Sequence, residues 1–195
     1  GGDGQVINVP CHPVQFGCEQ DAAVVYDYNP EKAKELLAEA GYADGFSVKL
    51  GSYRDRARAE AVQSYLAAVG INAELEVLQA SPSFSSWREG KVGMWYGDWG
   101  SQSLADSSAS IGSMFDGSSN DGSRNEKVIA LAKEAASVMN PEERKAKYAE
   151  TIKIITEEAY WVPMHTIVMG YAYSNTLDFE PTLDELPRFY DASWK

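Results

Sequence analysis

The sequence FSVKLGSYRDRARAEAVQSYLAAVGINAELEVL, residues 46–78, predicts a strand, a helix and a second strand in that order. Phe46, Val48 and Leu50 alternate with polar residues, as they do in a strand with one buried face. The next residues carry apolar side chains at helical spacing, and Gly70 ends that helix. A β-α-β order predicts two parallel strands joined by a right-handed crossover, so the expected fold class is α/β.

A further helix is predicted before this unit. Asn29 can cap it, Pro30 fits its first turn, and Gly41 ends it in a left-handed cap. The buried faces of this helix and the next are expected to consist of Ala33, Leu36, Leu37 and Ala40, and of Val62, Tyr65, Leu66 and Val69. Other predicted elements are helices at 83–89, within 105–115, after a capping box at Ser123–Glu126 and after Asn140, a strand at 92–97, and extended segments at 161–165 and 167–173. The tail from 177 to 195 shows no helical or strand period.

The composition limits what the chain can bind. Its 195 residues include 17 basic and 29 acidic side chains, which give a formal net charge of −12 at pH 7. Nucleic-acid surfaces need clustered Lys and Arg, so no nucleic-acid partner is expected. No apolar run approaches the roughly 20 residues that span a bilayer. No motif for a cofactor is present either.

The two cysteines, Cys11 and Cys18, enclose a short loop that contains Pro13 and Gly17. A turn can bring them within disulfide distance, and such a bridge would stabilise the fold by roughly 2–3 kcal/mol. A disulfide indicates an oxidising compartment. The alternative is a metal site with Cys11, His12 and Cys18 as ligands, although a structural zinc site usually needs a fourth ligand.

Six segments of the chain carry a family resemblance, and they come in that family's order: CHPVQFGC (11–18), YNPEKAKELL (28–37), WYGD (95–98), NPEER (140–144), WVPMH (161–165) and LPRFY (186–190). Together they resemble the second, C-terminal lobe of the family-5 or cluster-C extracytoplasmic solute-binding proteins of peptide, opine and nickel ABC transporters. The resemblance implies one lobe of a type II periplasmic-binding-protein fold, with a mixed or parallel sheet flanked by helices.

The resemblance also implies a domain organisation and a set of partners. Residues 1–27 would form an N-terminal segment with the Cys loop, residues 28–175 the recognition lobe, and residues 176–195 a tail that crosses back to a first lobe, which this chain would lack. The implied partners are that first lobe, a small-molecule or short-peptide ligand, and the transmembrane subunits of an ABC permease. The expected protein is a periplasmic or otherwise extracytoplasmic monomer.

The residues expected to bind the ligand begin with Trp95 and end with Ser101. In the peptide-binding members that this chain resembles, a Trp-x-x-Asp string supplies a carboxylate for the ligand's α-amino group, and Asp98 matches it. Trp95 and Trp99 would screen this charge-assisted hydrogen bond from water and add cation–π attraction, while Ser101 would offer a further hydrogen bond.

The sequence departs from the family pattern directly after Asp98. Many members continue with an aromatic residue and then Asp-Pro, whereas this chain continues with Trp99, Gly100 and Ser101. This departure leaves the ligand class open among short peptides, opines and similar amine-bearing solutes. It also makes the Gly- and Ser-rich loop from 97 to 123 the expected specificity element.

Two other functions compete with this interpretation. Asp98 and His165 beside a serine would outline a hydrolase, but the sequence has no Gly-x-Ser-x-Gly elbow and no His-Glu-x-x-His motif. A packed or surface role for His165 is the ordinary interpretation, and no catalytic residue is predicted. The aromatic tail could instead dock on another chain and make the protein an interaction module.

Overall fold

The computed structural model describes residues 4–101, 103–182 and 186–195. The chain divides into two compact units, which we name the sheet unit, Tyr26–Asp98, and the helical unit, Gly1–Val25 with Trp99–Lys195. The boundaries expected near residues 28 and 176 concern a lobe within a larger protein and stay a prediction.

The sheet unit alternates helices and strands: α1 (Pro30–Glu39), β1 (Phe46–Ser52), α2 (Arg56–Ala68), β2 (Ile71–Val77), α3 (Ala80–Arg88) and β3 (Met94–Tyr96). The strand order is β2-β1-β3, and β1 is parallel to both of its neighbours. The predicted α/β class and the parallel β-α-β pair are therefore confirmed. The predicted boundaries are correct to within three residues.

The start and stop signals of the first two helices act as predicted. The side chain of Asn29 accepts a hydrogen bond from the backbone N–H of Lys32 at 2.9 Å. Asp55 caps α2 in the same way by accepting from the N–H of Arg58 at 3.2 Å. Gly41 follows α1 with φ of +87°, a left-handed conformation in which glycine is favoured.

The predicted buried face of α1 is wrong, and that of α2 is correct only in part, since Val62, Leu66 and Val69 are half-buried. No residue of α1 is buried, and Leu36 is 52% exposed, because periodicity identifies an apolar face but not an element that covers it. In α2 the inward face is rotated away from Tyr65, which is exposed. That face holds Ala59 and Gln63, and Gln63 donates from Nε2 to the carbonyl of Ala73 on β2 at 2.6 Å.

The helical unit contains α4 (Ile111–Met114), α5 (Glu126–Ser137), α6 (Pro141–Glu157), three short 3-10 turns and the two-residue strands β4 (Leu177–Asp178) and β5 (Ser193–Trp194). Asn140 caps α6, as predicted, by accepting from two backbone N–H groups at 3.0 Å. The cap of α5 is Asn125 rather than Ser123. The hydroxyl of Ser123 donates instead to Asp121, at 2.7 Å.

The core of the helical unit joins the Cys loop to α4, α5 and α6. Cys11 and Cys18 form the predicted disulfide, with a Cα–Cα distance of 5.8 Å, and both are buried. The alternative metal site is wrong, because the two sulfurs are bonded to each other. No group of three or more metal-ligating side chains occurs within the described residues. The core consists of Val9, Cys11, Cys18, Ile111, Ala132, Ala135, Tyr148 and Ile152.

The described residues after α6 have little regular structure. In the predicted extended segment 161–165, His165 forms an isolated antiparallel bridge with Val6. The tail does contain strands, contrary to expectation, since Leu177 pairs with Trp194 and Asp178 with Ser193. Two residues are too few to produce a recognisable alternation. None of the helices in the described part of the chain is long and apolar enough to cross a membrane.

We predict that Gly17→Ala destabilises the chain far more than Gly41→Ala. Both glycines have positive φ, but a Cβ at Gly17 would lie 2.2 Å from Cδ2 of the buried Tyr148, whereas no heavy atom lies within 4 Å of a Cβ at Gly41. The matched variant Gly41→Ala should cost about 1–2 kcal/mol for the left-handed backbone alone. Gly17→Ala should cost about 1–3 kcal/mol more because it overpacks the core. Urea denaturation measures both, and equal losses would contradict this packing.

Candidate functional site

The carboxyl ends of β1 and β3 lie side by side in the sheet unit. Ser52, the last residue of β1, pairs with Tyr96, the last residue of β3. Tyr53 and Arg54 therefore leave the sheet next to the segment that ends in Asp98. In open α/β sheets ligands bind beyond the carboxyl ends of the strands, so this edge is where a binding group is expected.

Asp98 is held at this edge by two side chains. Tyr53 donates its hydroxyl hydrogen to Oδ1 of Asp98, and Arg54 Nη1 lies 3.1 Å from Oδ2. The side chain of Asp98 is 20% exposed and that of Arg54 is 57% exposed. A carboxylate offers about four acceptor positions, and Tyr53 and Arg54 reach one oxygen each.

Trp95 lies in a cluster of four aromatic rings, Tyr53, Phe84, Trp87 and Trp95, which we call the aromatic cluster. Tyr53 stacks on Trp95 at 5.7 Å and 17°, and Trp87 stacks at 5.1 Å and 18°. The indole Nε1 donates to Oγ of Ser83 at 3.0 Å. Trp95 thus supports Tyr53 from behind, and its predicted role as a wall of the ligand site stays a prediction.

The other two predicted residues belong to the helical unit. Trp99 donates from Nε1 to the carbonyl of Ala109 at 2.7 Å, and the carbonyl of Ser101 accepts from the N–H of Leu104 at 2.9 Å. The hydroxyl of Ser101 is buried and has no hydrogen-bond partner among the described residues. A buried hydroxyl without a partner costs about 1–3 kcal/mol, so a water or a ligand group is expected to satisfy it.

Two aspartates, the buried Asp121 and the partly buried Asp106, organise the described part of the loop from 97 to 123. Asp121 is 1% exposed and accepts from the N–H groups of Gly117, Ser123 and Arg124 at 3.0, 2.9 and 3.2 Å, and from Oγ of Ser123. Four donors satisfy this carboxylate. Asp121 therefore folds the end of the loop rather than offering a charge to a ligand.

Asp106 fixes the middle of the loop on α6. It accepts from the hydroxyl of Tyr148 at 2.8 Å and from the N–H of Ser108 at 2.9 Å, and Arg144 Nη2 lies 2.9 Å away. Burial raises the pKa of Asp106, but these hydrogen bonds and the Arg144 charge outweigh it and bring the pKa below its ordinary value. Burial also raises the pKa of Tyr148.

The groups of the alternative hydrolase are engaged in local contacts. His165 belongs to the helical unit, where its Nδ1 lies 2.9 Å from the carbonyl oxygen of Thr166. Asp98 belongs to the sheet unit and is held by Tyr53 and Arg54. A cavity of about 720 Å³ in the helical unit includes none of the four predicted ligand residues; its lining is Ala105, Asp178, Phe179, Glu180, Pro181, Thr182, Arg188 and Asp191.

The family model for the middle region of bacterial extracellular solute-binding proteins, family 5, matches residues 1–122. The chain belongs to this family. The result confirms the resemblance seen in the sequence, the solute-binding class and the extracytoplasmic location. Binding proteins, rather than enzymes, make up the family and the similar structures.

Individual relatives support the assignment of this family-5 chain. It is 29% identical to the glutathione-binding protein GsiB of Escherichia coli K12, over 78% of the chain and 33% of that protein. It is 25% identical to DppA of Helicobacter pylori in complex with the peptide STSA, with a TM-score of 0.73 over 84% of the chain and 34% of DppA. HbpA2 of Haemophilus parasuis matches the whole chain at 25% identity and a TM-score of 0.79, over 41% of its own length. The chain thus spans about a third of the length of the curated relatives.

Sequence reasoning did not single out Tyr53 and Arg54. The signal that could have found them is their position directly after a strand that is parallel to the strand before Asp98. Gly97 is also part of this arrangement, since a Cβ at this position would lie 2.1 Å from the ring of Trp95. The aromatic cluster therefore requires glycine between Tyr96 and Asp98.

We predict that Arg54→Ala leaves stability almost unchanged, while Trp95→Ala lowers it strongly. Arg54 is more than half exposed, and exposed ion pairs contribute less than about 1 kcal/mol. Removing the indole from the aromatic cluster should cost roughly 3 kcal/mol. Thermal and urea denaturation of the family-5 chain compare the two. A large loss for Arg54→Ala would show that the ion pair is structural.

We predict a pH-dependent loss of stability for Asp106→Asn. The folded pKa of Asp106 is lowered, so its stabilisation is complete above the ordinary value near 3.8 and disappears as the pH falls through the folded value. At pH 7 the variant should lose about 1.5–3 kcal/mol, as expected for hydrogen bonds to a charged group. Urea denaturation between pH 7 and the acid limit of folding, with exposed Asp44→Asn as control, measures the difference. If the difference in unfolding free energy between Asp106→Asn and the wild type does not change with pH, this account is contradicted.

Proposed function

We propose that this chain is the recognition lobe of a two-lobed receptor of an ABC importer. The receptor captures a short peptide, an opine or a similar amine-bearing solute and delivers it to a membrane permease. The observation that carries the proposal is the Asp98 carboxylate, partly exposed at the carboxyl end of β3 and oriented by Tyr53 and Arg54. GsiB binds glutathione and DppA holds a peptide, and both ligands have an amine.

Asp98 has the chemistry of an ammonium anchor. A charge-assisted hydrogen bond from an ammonium group to a carboxylate is about twice as strong as a neutral one. Tyr53 and Arg54 present a phenol and an exposed guanidinium to Asp98, and a ligand ammonium group would join them at the carboxylate. The aromatic cluster behind Tyr53 restricts water on one side of the carboxylate and strengthens the interaction.

Arg54 narrows the solute class. Its exposed guanidinium carries donors beyond those that face Asp98, and these match a carboxylate in bidentate geometry. A solute with both an amine and a carboxylate can pair with Asp98 and Arg54 at once. Peptides and opines have both groups, whereas a simple sugar has neither.

We further propose that Trp99 and Ser101 contact the solute, with Trp95 as supporting wall. The hydroxyl of Ser101 is buried without a partner among the described residues, and a ligand polar group would satisfy it. The loop from 97 to 123 would then set specificity.

A first lobe completes the proposed receptor. Ligand binding would shift the equilibrium between open and closed arrangements of the two lobes, which the permease detects. The tail from 176 to 195 exposes Phe189, Tyr190 and Trp194 to solvent. We propose that the first lobe covers these rings, in a receptor that is otherwise monomeric, and that the protein catalyses no reaction.

Calorimetry on the complete two-lobed protein tests the proposal. The titrant is a mixed dipeptide pool with free N-termini, compared with the same pool after acetylation. Asp98→Asn should weaken binding by about 10–100-fold, because it removes a charge-assisted hydrogen bond. Asp44→Asn should bind like the wild type, and acetylation should abolish binding to the wild type.

Three results would each contradict a part of the proposal. Equal binding of free and acetylated dipeptides would remove the ammonium anchor. No heat from either pool would remove short peptides as ligands, and an amine-bearing opine such as mannopinic acid would be the next titrant. Product formation during the titration would favour the hydrolase.

A further inference from the structure

The disulfide loop, residues 11–18, is hydrogen-bonded to the first part of the Ser-rich loop. The N–H of Phe16 donates to the carbonyl of Ala105 at 2.9 Å, and the carbonyl of Phe16 accepts from both N–H and Oγ of Ser107 at 3.0 and 2.9 Å. Gln15 Nε2 donates to the carbonyl of Leu104 at 3.1 Å. Four hydrogen bonds therefore connect two adjacent residues of the disulfide loop to one four-residue segment.

Hydrogen bonds link segment 104–107 to Ser101 directly and to Trp99 through Ala109. Leu104 donates its N–H to the carbonyl of Ser101 at 2.9 Å. Ala109 accepts the indole hydrogen of Trp99 at 2.7 Å, and its own N–H donates to the carbonyl of Asp106 at 3.1 Å. A displacement of 104–107 therefore moves Leu104, the partner of Ser101, directly, and reaches Ala109, the partner of Trp99, through its bond to Asp106.

The disulfide loop is itself rigid. Cys11 and Cys18 are buried in the core, and Gly17 lies against the ring of Tyr148, where no side chain fits. Gln15 is also buried, and its Oε1 accepts from the N–H of His12 at 2.9 Å. The amide of Gln15 thus bridges the disulfide loop to Leu104 with both of its ends.

Arg144 on α6 also contacts both the disulfide loop and segment 104–107. The guanidinium of Arg144 lies over the rings of Phe16 and Tyr148, at 5.6 and 5.7 Å, and pairs with Asp106 at 2.9 Å. Cation–π contacts of this kind are worth about 0.5–2 kcal/mol each. Phe16 is therefore held by its backbone and by its ring.

We propose that the disulfide loop is a positioning element for solute recognition. Gln15 and Phe16 keep 104–107 in one conformation, so that Trp99 and Ser101 are already in place when the solute arrives. A loop ordered in advance costs less conformational entropy on binding than one ordered by the ligand. This inference rests on the proposed function in one respect, that Trp99 and Ser101 contact the solute.

The test compares Gln15→Ala with Ile152→Val in the complete two-lobed protein. Both variants remove buried side-chain atoms from the helical unit, but only Gln15→Ala removes a bond to Leu104. Calorimetry with the dipeptide pool gives the affinity, and hydrogen exchange of the amides in 103–113, measured without ligand, gives the order of the loop. Gln15→Ala should bind about five- to tenfold more weakly and exchange these amides at least tenfold faster. Ile152→Val should match the wild type in both.

The outcomes separate this inference from the proposed function. If the wild type binds and the two variants have equal affinities, the positioning role is overturned and the proposed receptor function stands. The same follows if the exchange of the loop amides is unchanged in Gln15→Ala. No binding by the wild type would overturn the proposed function, and with it the ligand role of the disulfide loop. If Gln15→Ala does not fold, Gln15→Glu is measured instead. It keeps the acceptor for His12 and loses the donor for Leu104, and it is expected to give the same results.

Discussion

Parallel pairing of β1 with β3 is the constraint on which the candidate site depends. Because both strands run in the same direction, their carboxyl ends meet at one edge, where Ser52 pairs with Tyr96. The residues that follow β1 are therefore delivered beside Asp98. An antiparallel pair would place the residues after β1 at the opposite end of β3, and the Asp98 carboxylate would have neither Tyr53 nor Arg54 as a partner.

Asp98, Asp106 and Asp121 show how the surroundings of a carboxylate determine its role. Asp121 is fully buried and takes four hydrogen bonds from its own loop, and Asp106 joins that loop to α6 through Tyr148 and Arg144. Both have fixed partners, so their charge is used to hold the fold. Asp98 differs because its cationic partner, Arg54, is on the surface and can share the carboxylate with a ligand.

Much of the fold could be predicted from the sequence, because caps and alternation are local signals. Asn29, Asn140 and Gly41 act where the sequence indicates, and so does the Cys11–Cys18 disulfide. Burial of α1 could not be predicted, because an apolar face such as that of Leu36 says nothing about what covers it.

The candidate site was predictable in part for the same reason. Asp98 follows from a linear motif and Ser101 lies close after it, and their ligand contacts stay predictions. Tyr53 and Arg54 lie more than 40 residues earlier and reach Asp98 only through strand pairing. The stacking of Trp95 between Tyr53 and Trp87 likewise depends on three separate segments, which no local pattern connects.

The most direct test of the central claim is a crystal structure of the complete receptor with a bound dipeptide. The account predicts that the ligand's ammonium nitrogen lies about 2.7–2.9 Å from a carboxylate oxygen of Asp98, with Arg54 still beside that side chain. A bound dipeptide whose ammonium group contacts a different carboxylate and makes no contact with Asp98 would contradict it.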